Sequence, residues 1–204
     1  MKYFLKRLIN KIIYKQKIRF YGKNNSFVCP KSVNLKNIKI EVWGNNNKII
    51  IDEKARINNT RIIIGFASSS VDNSVIKIGF NTGVNSLFVQ IGENGSSVII
   101  GENCAISYDV ELNCTDTHSI FDENNNLLNI GKSIIIGNNV WLCKEVRIMK
   151  NTNVPNGCIV AQGSIVTKKF DKENCILAGN PARVVKENIR WDGIRPNEVL
   201  KKEG

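Results

Sequence analysis

Residues 136 to 171 divide into rows of six, IGNNVW, LCKEVR, IMKNTN, VPNGCI, VAQGSI and VTKKFD. Every row opens on an aliphatic residue: Ile136, Leu142, Ile148, Val154, Val160 and Val166. The fifth place is small or β-branched (Val140, Val146, Thr152, Cys158, Ser164) until Phe170. Upstream, the same frame recurs at Ile51, Ile57, Ile78, Ile100, Ile106 and Leu112. A unit this short holds neither a helix pair nor a propeller blade. It fits one short strand and a turn, and such units bury their apolar heads only by stacking into a solenoid. Three units close a triangular coil of about 18 residues, and coils stack at the inter-strand spacing of about 4.8 Å. Gly and Asn crowd the turns, as in IGENC, IGNNV and EVWGNNNKI, because they take positive φ at low cost. On this reading residues 36 to 186 form about eight coils, less inserted loops. FASSSVDNS and FVQIGENGSS interrupt the early ones.

Composition narrows the partners. The chain of 204 residues is 42% apolar and 23% charged, enough for one folded domain without help. With 29 Lys and Arg against 18 Asp and Glu, its formal charge of +11 favours an anionic partner. No nucleic-acid recognition motif accompanies that charge, so phosphate and acidic glycan fit better than DNA or RNA. The six cysteines form no CxxC pair and have one histidine for company, which argues against a zinc site. With no secretory signal, they read as reduced packing residues in a cytoplasmic protein.

At the N-terminus, Phe4, Leu5, Leu8, Ile9, Ile12 and Ile13 recur at helical spacing among Lys2, Lys6, Arg7, Lys11, Lys15 and Lys17. This predicts a basic amphipathic helix over 1–20, interrupted by charge too often for a signal peptide. Such a helix either packs on the end of the main domain or lies on a membrane surface. The coiled domain then spans 21–186, with a protruding loop at 115–133 and a tail at 187–204.

The hexads stop after Leu112 and resume at Ile134, and the interval contains the only histidine, His118, in CTDTHSIFD. A lone histidine is most often an idle surface group, but loops on rigid scaffolds are where chemistry concentrates. Neutral imidazole suits proton abstraction near pH 7. Asp116 and Asp122 flank it, and each either holds its second nitrogen or caps a turn. Trp141 lies outside the inward-facing columns and so belongs on the surface, where an indole offers a stacking platform. Trp43 and Trp191 read as packing residues.

The hexads, together with AQGSIVTKKFDKENCILAGNPARVV, resemble the bacterial hexapeptide acyltransferases. CTDTHSIFD with IGNNVW is most similar to the O-acetyltransferases of polysialic acid, capsule or lipopolysaccharide sugars. The resemblance implies a left-handed parallel β-helix, a hand opposite to the usual crossover rule, and a homotrimer. It implies acetyl-CoA as acyl donor with no metal, and a sugar hydroxyl of a bacterial surface polysaccharide as acceptor. In the similar O-acetyltransferases a His and a Trp at the positions of His118 and Trp141 are both needed; the chemistry expected of His118 is to deprotonate the acceptor hydroxyl for direct attack on acetyl-CoA, and no cysteine sits in a Cys/His motif that would favour an acyl-cysteine. The resemblance puts Ala161, Gly163 and Ser164 along the pantetheine arm, followed by Thr167 and Lys168. Asn180, Pro181 and Arg183 flank the nucleotide, with Lys168 and Arg183 on phosphate. An N-acetyltransferase acting on an amino sugar would use the same scaffold and base.

Overall fold

The structure, a computed structural model, describes residues 16–203. Its strands lie in one sheet of six and one of thirteen, and each strand of the smaller sheet comes from a different turn of the chain. In chain order these are Ser26–Val28, Lys48–Ile51, Val75–Ile78, Ser97–Ile100, Ser133–Ile136 and Thr152–Val154, all parallel. They make the first side of a prism. Gly83–Val84, Ala105–Ile106, Trp141–Leu142 and Ile159–Val160 stack as the second side. Leu87–Ile91, Val110–Cys114, Arg147–Met149 and Ile165–Val166 stack as the third. The long strands Asn34–Trp43 and Arg56–Ile64 run across the corner between the second and third sides, which joins those two sides into one sheet. The chain is thus a left-handed parallel β-helix.

The six-residue frame describes the interior closely. Ile136, Leu142, Ile148, Val154, Val160 and Val166 are all buried, as are the fifth-place residues Val140, Val146, Thr152, Cys158 and Ser164. Between them, the fourth residue of each row turns left-handed: Asn139, Glu145, Asn151, Gly157 and Gly163 have φ of 53°, 62°, 60°, 66° and 70°. The period therefore has two causes, an apolar head pointing inward and a corner that only a left-handed residue can turn. Glycine in the second place serves stacking. A Cβ on Gly101 would lie 2.6 Å from the Gly137 carbonyl oxygen one coil above, so neighbouring coils could not approach to hydrogen-bonding distance.

The coil count and coil length differ from expectation. The six-stranded side marks six complete coils, with partial ones at the ends, rather than about eight. Only the C-terminal coils have the 18-residue length, with Arg147 beside Ile165. Gly83 lies beside Ala105, 22 residues on, and Ala105 beside Trp141, 36 on. The surplus collects at one corner, between the third side and the first: residues 65–74, 92–96 and 115–132, against only 150–151 in the following coil. Ser133, placed in the loop from sequence, already begins a strand.

The N-terminal helix expected over 1–20 lies mostly outside the described residues, and where it can be compared it is wrong. Lys17–Tyr21 is a strand, parallel to Lys39–Trp43, with Tyr21 stacked on Trp43 at a ring separation of 3.7 Å. The helical apolar spacing ends at Ile13, and the open edge of Asn34–Trp43 offers unpaired backbone groups that a strand satisfies. At the other end, Ile176–Gly179 and Ala182–Lys186 form an antiparallel hairpin through a cis Asn180–Pro181 peptide. The tail then carries a helix, α1 (Pro196–Glu203). Among the described residues no helix is long and apolar enough to cross a membrane.

Of the five left-handed corner residues in this register, Glu145 alone is neither Gly nor Asn. Glu145→Asn should raise stability by about 0.5–1 kcal/mol, read from urea unfolding midpoints, because Asn tolerates that conformation better.

Candidate active site

The crowded corner builds a groove of about 420 Å³ from three successive coils. Phe66, Ser68 and Ser69 come from the first, Gly92 and Glu93 from the second, and Thr115, Thr117, His118 and Ser119 with Leu127, Asn129 and Ile130 from the third. His118 stands exposed in its wall.

The loop carrying His118 is a pinned structure. Ile120 and Leu128 pair across it through a 2.9 Å backbone bond, and Phe121 bridges Leu127. Asp122 caps the tip, accepting from the amides of Asn124 and Asn126 and from the Asn126 side chain at 2.8 to 2.9 Å. Asn129 clamps the near end: its Nδ2 donates to Asp116 Oδ2 and to the His118 carbonyl, and its Oδ1 accepts from the Ile120 amide. Asp116 also pairs with Lys150. Beneath them, Thr115 Oγ1 donates to Glu93 Oε1 at 2.8 Å and accepts from the Thr117 amide at 3.0 Å.

The two carboxylates expected to orient His118 therefore have other partners. Asp122 is a turn cap, and Asp116 binds Lys150 and Asn129 and fixes the loop rather than the ring. The geometry explains why: Asp116 and His118 sit on a tight turn in which the His118 amide donates to the Asp116 carbonyl, and Lys150 one coil above offers a charged partner.

Charges at the loop root are shifted in opposite directions. Burial works against ionisation of Asp116, but Lys150 and Asn129 together hold its carboxyl below the usual range. Burial pushes Glu93 up, helped by Asp116, against the Thr115 hydrogen bond and Lys150. Burial also pushes the thiols of Cys104 and Cys143 to about 11 and that of Cys114 to about 12, so these three remain protonated near neutrality.

Trp141 is 38% exposed, as its place in the row requires, but it belongs to a different side of the prism. Its strand lies between Ala105–Ile106 and Ile159–Val160, whereas His118 leaves the corner beyond the third side. The cavities beside Trp141 share no residue with the His118 groove. The larger, of about 700 Å³, lies between Trp141 and the tail that carries Trp191, Ile194 and Val199. Trp191 leans on Trp141 at 5.9 Å and donates to the Asn139 carbonyl. One chain does not bring His118 and Trp141 together.

The residues assigned to the donor are likewise spread out. Ala161, Gly163 and Ser164 form the corner between the second and third sides, and this corner touches the GNPAR turn where Ser164 Oγ accepts from the Gly179 amide. Ser164 is 2% exposed, so its side chain fills the prism and does not line an arm, which corrects that assignment. Asn180, Pro181 and Arg183 are exposed on the hairpin. Thr167 and Lys168, also exposed, lie at the corner that carries His118 two coils earlier, with Lys168 Nζ over the Phe170 ring. Among the described residues, no three His, Cys, Asp or Glu side chains are grouped to hold a metal.

Sequence reading missed Glu93, Thr115, Asn129 and Lys150. Glu93 lies in IGEN, a tetrapeptide that recurs at Ile100–Asn103, where Glu102 is exposed. Only the loop overhead distinguishes the two.

No family model matches the sequence. Among individual proteins, a polysialic acid O-acetyltransferase of Escherichia coli O1:K1 / APEC is 36% identical over 187 residues, covering 83% of this chain and 60% of that protein. Its counterpart in Neisseria meningitidis is 33% identical over 171 residues, covering 83% of this chain and 76% of that protein. The crystal structure of the polySia specific acetyltransferase NeuO superposes with a TM-score of 0.73 at 32% identity, covering 91% of this chain and 93% of that one. The polysialic acid O-acetyltransferase OatWY gives 0.69 at 27% identity, covering 90% and 95%.

The opposed shifts at the loop root set a stability test. Glu93 has a raised native pKa, so its contribution is present below its unfolded value and lost as pH rises through the native one. Asp116 has a depressed native pKa, so its contribution is present above its unfolded value and lost as pH falls through the native one. Compared with wild type in thermal melts, Glu93→Gln should gain on going from pH 4 to pH 8, and Asp116→Asn should lose over the same interval.

Proposed function

The chain belongs to the family of the polysialic acid O-acetyltransferases, and on that premise we propose that it moves acetyl from acetyl-CoA to a hydroxyl of an acidic bacterial surface polysaccharide, with His118 as general base. One observation carries the assignment of the base. The only histidine of the chain stands exposed in the groove where three coils put their inserted residues, and its ring makes no hydrogen bond within the described chain.

The chemistry follows from that placement. An imidazole nitrogen takes the proton of the acceptor hydroxyl as the oxygen attacks the thioester carbonyl. A backbone amide steadies the tetrahedral oxyanion. The C–S bond then breaks, and the leaving thiolate recovers the proton from the imidazolium. An acyl-cysteine route is unattractive here, because Cys104, Cys114 and Cys143 have raised pKa values and Cys158 and Cys175 are buried. Ala161, Gly163, Thr167, Lys168, Asn180, Pro181 and Arg183 hold the donor, with the two cations on its phosphates. The charge of +11 matches both coenzyme phosphates and an acidic glycan.

The site uses Trp141 from a second copy. His118 projects from one edge and Trp141 lies on another side, so a ring of identical chains, edge to side, would join them. The exposed apolar side chains of the loop, Ile120, Phe121, Leu127 and Leu128, suit such a contact. The assembly is a homotrimer in the cytoplasm.

Thiol release from acetyl-CoA, measured with acidic glycans, neutral glycans and amino sugars, tests the activity. His118→Ala should reduce turnover on a hydroxyl acceptor by at least about 10²-fold. Acetylation of an amine would instead mark an N-acetyltransferase, and full activity in the variant would remove His118 as the base.

Subunit mixing tests the shared site. His118→Ala and Trp141→Ala chains, each inactive alone, should on co-assembly regain about a quarter of wild-type activity, since some neighbouring pairs then present both intact residues. No recovery in verified mixed oligomers would mean that each chain holds its own site.

A further inference from the structure

One feature of the groove has no part in the reaction as written. Among the described residues, Glu93 Oε2 is the one buried side-chain polar atom without a hydrogen-bond partner. Native proteins rarely leave such atoms, and an orphaned buried carboxylate oxygen calls for a reason. The sequence also makes room for it. A Cβ on Gly92 would come within 2.3 Å of Thr115 Oγ1, and one on Gly131 within 2.7 Å of Glu93 Oε2.

The orphaned carboxyl begins a chain of contacts that ends beside the base. Glu93 Oε1 accepts from Thr115 Oγ1, which accepts from the Thr117 amide. Thr117 then turns left-handed, with φ of 63°, a conformation that a β-branched residue adopts only when held. The next residue is His118. If the carboxyl served only to tie down the loop, a neutral acceptor would do so without burying charge. A charged acceptor holds the Thr115 hydroxyl more firmly, since charge-assisted hydrogen bonds are the stronger ones. The ionisable groups facing Glu93 are Asp116 and Lys150 on the loop root and the neighbouring coil, with the Cys114 thiol below.

Resting on the acetyl-transfer reading above, we infer that Glu93 is a positioning residue of the reaction: through Thr115 it sets the turn at Thr117 that aims His118 into the groove. It does not touch the reacting atoms. Its effect falls on turnover and spares donor binding, because the donor residues lie on later coils, Thr167 and Lys168 at the same corner two coils on and the others beyond the second side.

The test compares kcat, both KM values and the melting temperature at pH 8 for wild type, Glu93→Leu, Thr115→Val, their double variant, Glu93→Gln and His118→Ala. Each single apolar variant should lower kcat by about tenfold or more while KM for acetyl-CoA stays within about threefold. The double variant should lose no more than the worse single one, because both break the same bond. Glu93→Gln keeps an acceptor for Thr115 without the charge and should recover only part of the loss, with kcat between those of Glu93→Leu and wild type. Glu93→Leu removes a buried charge, so its melting temperature should not fall; if it fails to fold, Thr115→Val decides alone. Wild-type kcat in the apolar variants, or additive losses in the double, would overturn the positioning role while an inactive His118→Ala left the acetyl-transfer reading intact. An active His118→Ala would overturn both.

Discussion

Stacking at hydrogen-bond distance is the constraint on which the whole structure depends. Each coil must repeat the backbone path of the one below within a few tenths of an ångström, or the parallel ladders break. This demand explains the left-handed residue every sixth place from Asn139 to Gly163, since a corner turned in one coil must be turned at the same height in the next. It also explains the glycine stack of Gly79, Gly101 and Gly137, where there is no room for a Cβ. The interior has less freedom still, so the aliphatic heads and small fifth places follow without exception through Val166.

A scaffold this regular has few places for irregularity, and the chain confines it to one edge. The segments 65–74, 92–96 and 115–132 all leave the prism between its third and first sides. Stacked above one another, they enclose a groove that none could form alone. The rigidity of the prism then becomes a property of the site. The Thr115–Glu93 hydrogen bond and the Asp116–Lys150 pair tie the longest insert to neighbouring coils and Asn129 holds the loop on itself, so His118 sits on a loop whose position is inherited from the ladder. The orphaned oxygen of Glu93 is the cost of building that attachment under a loop, and local cost of this kind gathers where function requires a particular posture.

A triangular prism also separates what lies on different sides. His118 lies at the corner beyond the third side and Trp141 on the second side, although they are close in sequence. A single chain keeps the two residues apart, in cavities that share no lining residue.

The sequence by itself determined the coil: the period, the inward residues, the glycine and asparagine corners, the surface position of Trp141 and the loop bearing His118. These were legible because each hexad states the same local rule, and repetition makes the rule visible without knowledge of distant contacts. It misjudged the coil count, because inserts carry no periodicity. It also misjudged Lys17–Tyr21, whose strand exists only because another strand's edge is open beside it. Only the tertiary structure decided what each polar residue does. Asp122 became a cap, Asp116 a partner of Lys150, and Ser164 a filler of the core. Glu93 and Glu102 begin from the same IGEN, and one lies beneath the His118 loop while the other faces solvent. A polar side chain acquires its role from the neighbours that stacking brings to it, and those neighbours lie about a coil away in the sequence, beyond any local pattern.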